Sequence, residues 1–203
     1  MTQIKAAFNE IQRQNAGKSF VVLANSGGGE PLVNALAGLA ANAYSVETAI
    51  LVACPVTTRV LSAQSPLERI INVYGENDYF LEENITQNPA YRPPLIEANE
   101  IPTIAKRFFH QGHDFDTINI EFKGMEHTQY FYANGVTPTP LQIKSSDFIA
   151  VLTSRTLNEA DLEIFLRNLI ERNEATFTEE TAIINGRRNR VRTYVVDLND
   201  WSD

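Results

Sequence analysis

The sequence predicts an α/β fold, a mostly parallel sheet with helices on both faces. Three features of the chain lead there. Short β-rich runs recur at Phe20–Ala24, Thr48–Ala53, Ile70–Tyr74 and Thr117–Phe122. The first of these is continuously apolar, as strands buried on both faces are. Segments of helical period lie between and before them, the alternation that builds a parallel sheet with covering helices.

Taken in order, residues 3–13 place Ile4, Ala7, Phe8 and Ile11 at helical spacing with Lys5, Asn9 and Gln12 opposite, and Gly17 ends the pattern. The strand at 19–24 follows. Asn25-Ser26-Gly27-Gly28-Gly29 then leads to Pro31, a residue suited to a first helical turn, and Leu32, Leu36, Leu39 and Ala43 continue an alanine-rich helix. The third and fourth strands end at Gly75 and Gly124. The polar, proline-containing stretch between Tyr79 and Pro102 reads as a long loop, a kind of segment that is often functional. Residues 104–109 read as helical and 148–153 as a strand or sheet edge. Thr156-Leu157-Asn158-Glu159 fits a capping box ahead of an amphipathic helix carrying Leu162, Phe165, Leu166, Leu169 and Ile170. Asn185-Gly186, between β-rich runs at 178–184 and 191–198, signals a hairpin.

The 203 residues suit one domain, 1–203, with a core over about 3–130 and a C-terminal extension over about 140–203. No apolar run approaches a membrane span, and the N-terminus has no secretory pattern, so the expectation is a soluble, cytoplasmic protein. The formal charge of −8 disfavours nucleic acid as the main partner. The local basic cluster Arg187-Arg188-Asn189-Arg190-Val191-Arg192 reads as a solvated hairpin turn. The single cysteine, Cys54, permits no internal disulfide and reads as a small core residue.

Ser26 follows a buried strand and precedes a helix. A serine there sits on a sharp turn that needs small neighbours, which Ala24 and Gly28 supply. The Gly27 N–H would lie near the helix N-terminus, where it can stabilise a developing oxyanion. Serine needs a base, and the base an orienting acid. Asp78 closes Gly75-Glu76-Asn77-Asp78 just past the third strand, and His127 closes Gly124-Met125-Glu126-His127 just past the fourth. In a parallel sheet those ends share one edge.

On these residues the chain resembles the α/β-hydrolase family. The match is Ala24-Asn25-Ser26-Gly27-Gly28, then Val73-Tyr74-Gly75-Glu76-Asn77-Asp78, then Phe122-Lys123-Gly124-Met125-Glu126-His127, in the family's order and each after a strand. The resemblance spans about residues 3–130 and covers the C-terminal half of that fold, shortened at the N-terminus, with a C-terminal helix and β-hairpin added. It implies a serine hydrolase acting on a small-molecule acyl substrate such as an ester or thioester. In it Ser26 attacks, His127 takes the proton and Asp78 holds His127, with no metal or organic cofactor. The family's loop that supplies a second oxyanion N–H belongs to the half not matched. The strand at 20–24 would then have an unpaired edge, to be covered by the C-terminal hairpin, by a second subunit or other partner, or by a preceding region.

Other readings of the same residues stay open. Ser26-Gly27-Gly28-Gly29 also suits a plain turn or a loop that holds a phosphorylated small molecule at Gly27–Gly29. It has neither the P-loop ending nor dinucleotide spacing. A non-catalytic binding or interaction module on the same fold is a further reading. Glu76 rivals Asp78 as the acid, and His110 and His113 rival His127 as the base. The spacing His110-Gln111-Gly112-His113-Asp114 matches no strong metal-ligand pattern. Asp116 and Glu126 read as surface charges. Tyr130-Phe131-Tyr132 reads as packing or as a wall of an acyl pocket.

Overall fold

In the computed structural model the described residues are 2–15, 18–37, 46–56, 60–78, 105–133 and 135–201. Helix α1 spans Thr2–Gln14 and strand β1 spans Phe20–Asn25. After a single 3-10 turn at Ser26–Gly28, α2 spans Gly29–Ala37. Strands β2 (Val46–Val52), β3 (Val60–Leu61), β4 (Arg69–Gly75), β5 (Phe109–His110) and β6 (Phe115–Phe122) follow. A second 3-10 turn at His127–Gln129 precedes α3 (Pro140–Arg155), α4 (Glu159–Glu171), β7 (Ala175–Ile184) and β8 (Arg187–Val196). The main sheet runs β1-β2-β4-β6-β8-β7. Its first five strands are mutually parallel, and β7 is the antiparallel edge. Strands β3 and β5 form a separate parallel pair. No described helix is long and apolar enough to cross a membrane.

Strand side chains alternate between two apolar layers. Ile50, Val52, Ile71, Val73, Ile118, Ile120 and Phe122 pack against Phe148, Ile149 and Leu152 of α3 and Leu162, Leu166 and Leu169 of α4. Ala49, Leu51 and Ile70, one residue out of phase, pack on the opposite side with Phe8 of α1 and Leu32, Val33 and Leu36 of α2. Two-sided burial is why these strands are rich in valine and isoleucine on both faces.

The α1 and α2 side of the sheet carries three polar exceptions that explain a misread element. Asn72 Nδ2 donates to the Ala105 carbonyl at 3.1 Å, and Asn119 Nδ2 donates to the Lys106 carbonyl at 2.9 Å. Thr117 Oγ1 accepts from the Phe108 N–H at 3.2 Å. Residues 105–108 are therefore an irregular cover bonded to the sheet through side chains, and 109–110 are strand β5, where a helix over 104–109 is expected from the sequence; residue 104 lies outside the described residues. Backbone that lacks its own helix bonds must find partners when buried, and strand asparagines supply them.

Two further expectations are corrected. Residues 148–153 are the interior of α3, not a strand. Their apolar run is the core face of a helix capped by Thr139, whose Oγ1 accepts from Gln142 N at 3.2 Å, with Pro140 in the first turn. Thr156 closes α3 rather than opening α4. The cap of α4 is Asn158, accepting from Ala160 N at 2.9 Å. The hairpin is as expected: Asn185 and Gly186 have φ of 53° and 75°, the pair of left-handed residues a tight two-residue turn requires. The expected helix beyond Ala37 and the expected loop between Tyr79 and Pro102 lie outside the described residues.

The hairpin does not cover β1. It extends the opposite edge of the sheet through β8 pairing with β6, so residues 140–198 belong to the same sheet and core. Among the described residues β1 pairs with β2 alone, and Leu23 is 44% exposed.

Candidate functional site

Ser26 stands where β1 turns into α2. Its φ is 48°, a region that costs a non-glycine residue free energy on the order of 1–3 kcal/mol. Ala53, at the end of β2, has φ 50°, so this backbone state alone does not mark a functional serine. The packing of the turn differs in detail from expectation. A Cβ on Gly28 would make only ordinary contact with Ala24 Cβ, at 3.9 Å, and one on Gly27 would meet open space. The demanding position is Gly29, where a Cβ would collide with Cys54 and Val56. Cys54 is the buried core residue expected, 2% exposed, and burial pushes its thiol up to about 12.

Asp78 and His127 arrive on two turns locked to each other. Gly75 lets the Met125 carbonyl approach where any side chain would collide. Asn77 N–H donates to that carbonyl at 3.2 Å and Glu76 N–H to the Phe122 carbonyl at 2.9 Å. Gly124, at φ 65°, makes the turn after β6, and its N–H donates to Glu76 Oε2 at 3.1 Å. Glu76, the rival acid, thus holds the histidine's loop. Gln129 Oε1 accepts the Glu126 N–H at 2.8 Å, which fixes the short turn that begins at His127.

These turns bring Ser26, His127 and Asp78 into hydrogen-bond series. Ser26 Oγ lies 3.2 Å from His127 Nε2. His127 Nδ1 lies 3.0 Å from Asp78 Oδ1 and 3.1 Å from Oδ2. A carboxylate only accepts, so Nδ1 carries the proton in neutral His127 and Nε2 presents its lone pair to the serine hydroxyl. The Asp78 side chain is 1% exposed and that of His127 is 20% exposed, so the series runs from the interior outward to the half-buried Ser26. Sequence reasoning did not single out Tyr130 as a partner. Its hydroxyl donates to Asp78 Oδ2 at 2.8 Å, and its ring lies against Phe122 and edge-on to His127. Burial and then the Asp78 charge push its phenol far above the ordinary tyrosine range. Its place three residues after His127, one 3-10 turn on, was the available signal.

The rival bases lie at the opposite sheet edge, where strands begin. His110 Nε2 bonds the Ser65 carbonyl at 3.0 Å, and its Nδ1 accepts from Gly112 N at 2.9 Å and His113 N at 3.3 Å. His113 Nε2 bonds the Leu67 carbonyl at 2.9 Å, and the two rings stack with centroids 3.6 Å apart. Burial and then the neighbouring His113 hold His110 below the usual histidine value. Among the described residues no group of His, Cys, Asp and Glu is arranged to hold a metal ion.

A cavity of about 600 Å³ opens at that same edge, far in the fold from Ser26. It is lined by Arg69, His113, Asp114, Asp116, Glu159 and Arg190 among others. Asp116 is not a free surface charge: Arg190 grips it through two bonds of 3.0 and 2.9 Å, and Arg192 bonds it as well. Arg192, 4% exposed at its side chain, also pairs with Glu163 at 2.8 Å. The basic cluster expected to be a solvated turn is therefore the start of β8, and three of its four arginines, Arg188, Arg190 and Arg192, are ion-paired with Asp114 or Asp116 near the start of β6. No family model matches the chain, nor does any curated protein or solved structure.

Proposed function

We propose that the chain is a serine hydrolase of the α/β-hydrolase type, cleaving a small acyl substrate such as an ester or thioester. The observation that supports this reading above all others is the continuous series Ser26–His127–Asp78 at the carboxyl ends of parallel strands. As the Ser26 Oγ bond to the acyl carbon forms, His127 Nε2 takes the hydroxyl proton and Asp78 stabilises the imidazolium. The same proton then goes to the departing alcohol or thiol as its bond to the acyl carbon breaks, leaving a Ser26 ester. Water repeats the cycle, releasing the acid and restoring Ser26. The Gly27 N–H, at the start of the turn, is the oxyanion donor this reading assigns.

A second reading is favoured by the position of β1. On its outer side no strand is present among the described residues, and that neighbouring position is where a second oxyanion donor would enter. A binding module that keeps the serine–histidine–aspartate geometry without turnover is consistent with this. Reaction with a fluorophosphonate separates the two. Covalent labelling of the natural chain, lost in Ser26→Ala, is the expected result. Absence of labelling from about pH 6 to about pH 9 in folded protein overturns the hydrolase reading.

A further inference from the structure

We infer that Tyr130 is a positioning residue of this site: its phenol holds Asp78 by one oxygen and thereby sets how strongly Asp78 grips His127. The inference rests on the hydrolase reading for its consequence, while its geometry stands apart from it.

Asp78 is a buried carboxylate with two oxygens, and His127 Nδ1 lies almost equally far from both, at 3.0 and 3.1 Å. A single N–H cannot satisfy two oxygens well, and a buried carboxylate with an empty lone-pair direction costs stability. Tyr130 supplies the second donor, at 2.8 Å to Oδ2. Its hydroxyl has no freedom to leave. The residue is 1% exposed, its backbone carbonyl accepts from Ser145 Oγ at 3.0 Å, and its ring is wedged between Phe122 and His127. The phenol therefore does two things. It pins the carboxylate so that Oδ1 faces Nδ1, and it draws off part of the negative charge that would otherwise act on the imidazolium.

The titratable groups facing the phenol are Asp78 and the Cys54 thiol, and His127 meets its ring edge. Glu76 is engaged by Gly124 N, and Glu126 is exposed. Cys54 stays a neutral thiol because burial pushes it up to about 12, so Asp78 is the charge the phenol answers. Without the hydroxyl, the whole carboxylate charge falls on His127 and favours the imidazolium over the free base that the serine needs.

Tyr130→Phe removes one oxygen and keeps the ring, so the packing with Phe122 survives. The test compares the pH dependence of fluorophosphonate labelling at Ser26, and the downfield His127 Nδ1 proton resonance, in the natural chain and in this variant. Expected are an acid limb of the labelling profile moved to higher pH by roughly 0.5–1 unit, a rate lowered by at most about 3- to 10-fold at pH 6, and a displaced Nδ1 proton resonance. A labelling profile and resonance identical to those of the natural chain, in a variant with an unchanged far-ultraviolet spectrum, overturn the inference. A natural chain that does not label at all overturns the reading of Ser26 instead, and the resonance alone then decides Tyr130: displaced supports the inference, unmoved overturns it. A variant that fails to fold is replaced by Asp78→Asn, in which the Tyr130 hydroxyl proton resonance should move because its charged acceptor is gone. An unmoved resonance there overturns the inference.

Discussion

The two edges of the parallel sheet carry the same kinds of side chain and commit them differently. Where strands end, Ser26, His127, Asp78 and Tyr130 bond to one another. Where strands begin, Ser65, His110 and His113 bond to backbone groups, and Asp114 and Asp116 bond to the backbone and arginines of β8. Both nitrogens of His110 are engaged by main chain, so it has no lone pair to offer a hydroxyl. His127 has one ring nitrogen on a carboxylate and the other on a serine. Residue type is thus a poor guide to reactivity. What separates the edges is whether a histidine's second nitrogen faces a hydroxyl or a peptide group.

The largest effect that can break this contrast is on covalent reactivity. Ser26→Ala should abolish labelling, and Ser26→Ala and His127→Ala should each lower the ester-cleavage rate by about 10⁵-fold, while His110→Gln should stay within about threefold of the natural chain. A comparable loss in His110→Gln would show that the strand-start edge takes part in the chemistry. Next in size, Asp78→Asn should cost about 10⁴-fold, because an amide nitrogen facing Nδ1 favours the wrong tautomer. The same experiment on Glu76→Gln should cost far less, since Glu76 holds Gly124 rather than the histidine.

Smaller effects sharpen the contrast through stability. Asp116→Ala leaves Arg192, 4% exposed, with Glu163 as its remaining carboxylate and should destabilise the fold by roughly 3 kcal/mol in urea unfolding, with labelling by the surviving native protein unchanged. Gly29→Ala should cost roughly 1–3 kcal/mol through collision with Cys54 and Val56, and slow labelling as well because the Ser26 turn moves. Gly27→Ala should leave stability nearly unaltered, since a Cβ there meets open space.

The smallest effect is on pH dependence. His110 is held below the usual value of 6.5 by burial and then by His113, so the unfolded chain binds that proton more readily than the native one. Stability is therefore complete above about pH 6.5 and falls as pH drops through the lower native value. Thermal unfolding of the natural chain should show this decline, and His110→Gln should flatten it. A steeper acid decline in His110→Gln would contradict the assignment.

Much of the frame was legible because local chemistry and burial agree. Strands at 46–52, 69–75 and 115–122 are β-rich and buried, and Asn185-Gly186 makes the tight turn expected. The strand at 20–25 is β-rich as well, but it is not buried on both faces as expected: only Ala24 is buried, because among the described residues no strand lies on its outer side. The misreadings have a common origin. Phe148–Thr153 is as apolar as a strand, and only its place behind Thr139 and Pro140 marks it as helix. Residues 104–109 have helical spacing, yet the strand asparagines 72 and 119 were the better signal, since buried amides in a sheet centre need partners from an irregular cover. For the site, Ser26, Asp78 and His127 were legible as residues past strand ends. Tyr130 reads from the sequence as packing or as a pocket wall, because an aromatic ring's burial is visible in a sequence and its hydroxyl's partner is not.

What the sequence determined by itself is the α/β alternation and the placement of Ser26, Asp78 and His127 each beyond a strand, because periodicity and turn residues act over a few neighbours. What only the tertiary structure decided is the strand order, with β8 beside β6 and the hairpin at the edge away from β1, together with the fates of the remaining polar groups. Whether Asp116 meets solvent or Arg192, and whether a tyrosine hydroxyl meets Asp78, depends on groups brought within about 3 Å from distant parts of the chain. Such contacts are set by packing geometry, which no local pattern encodes.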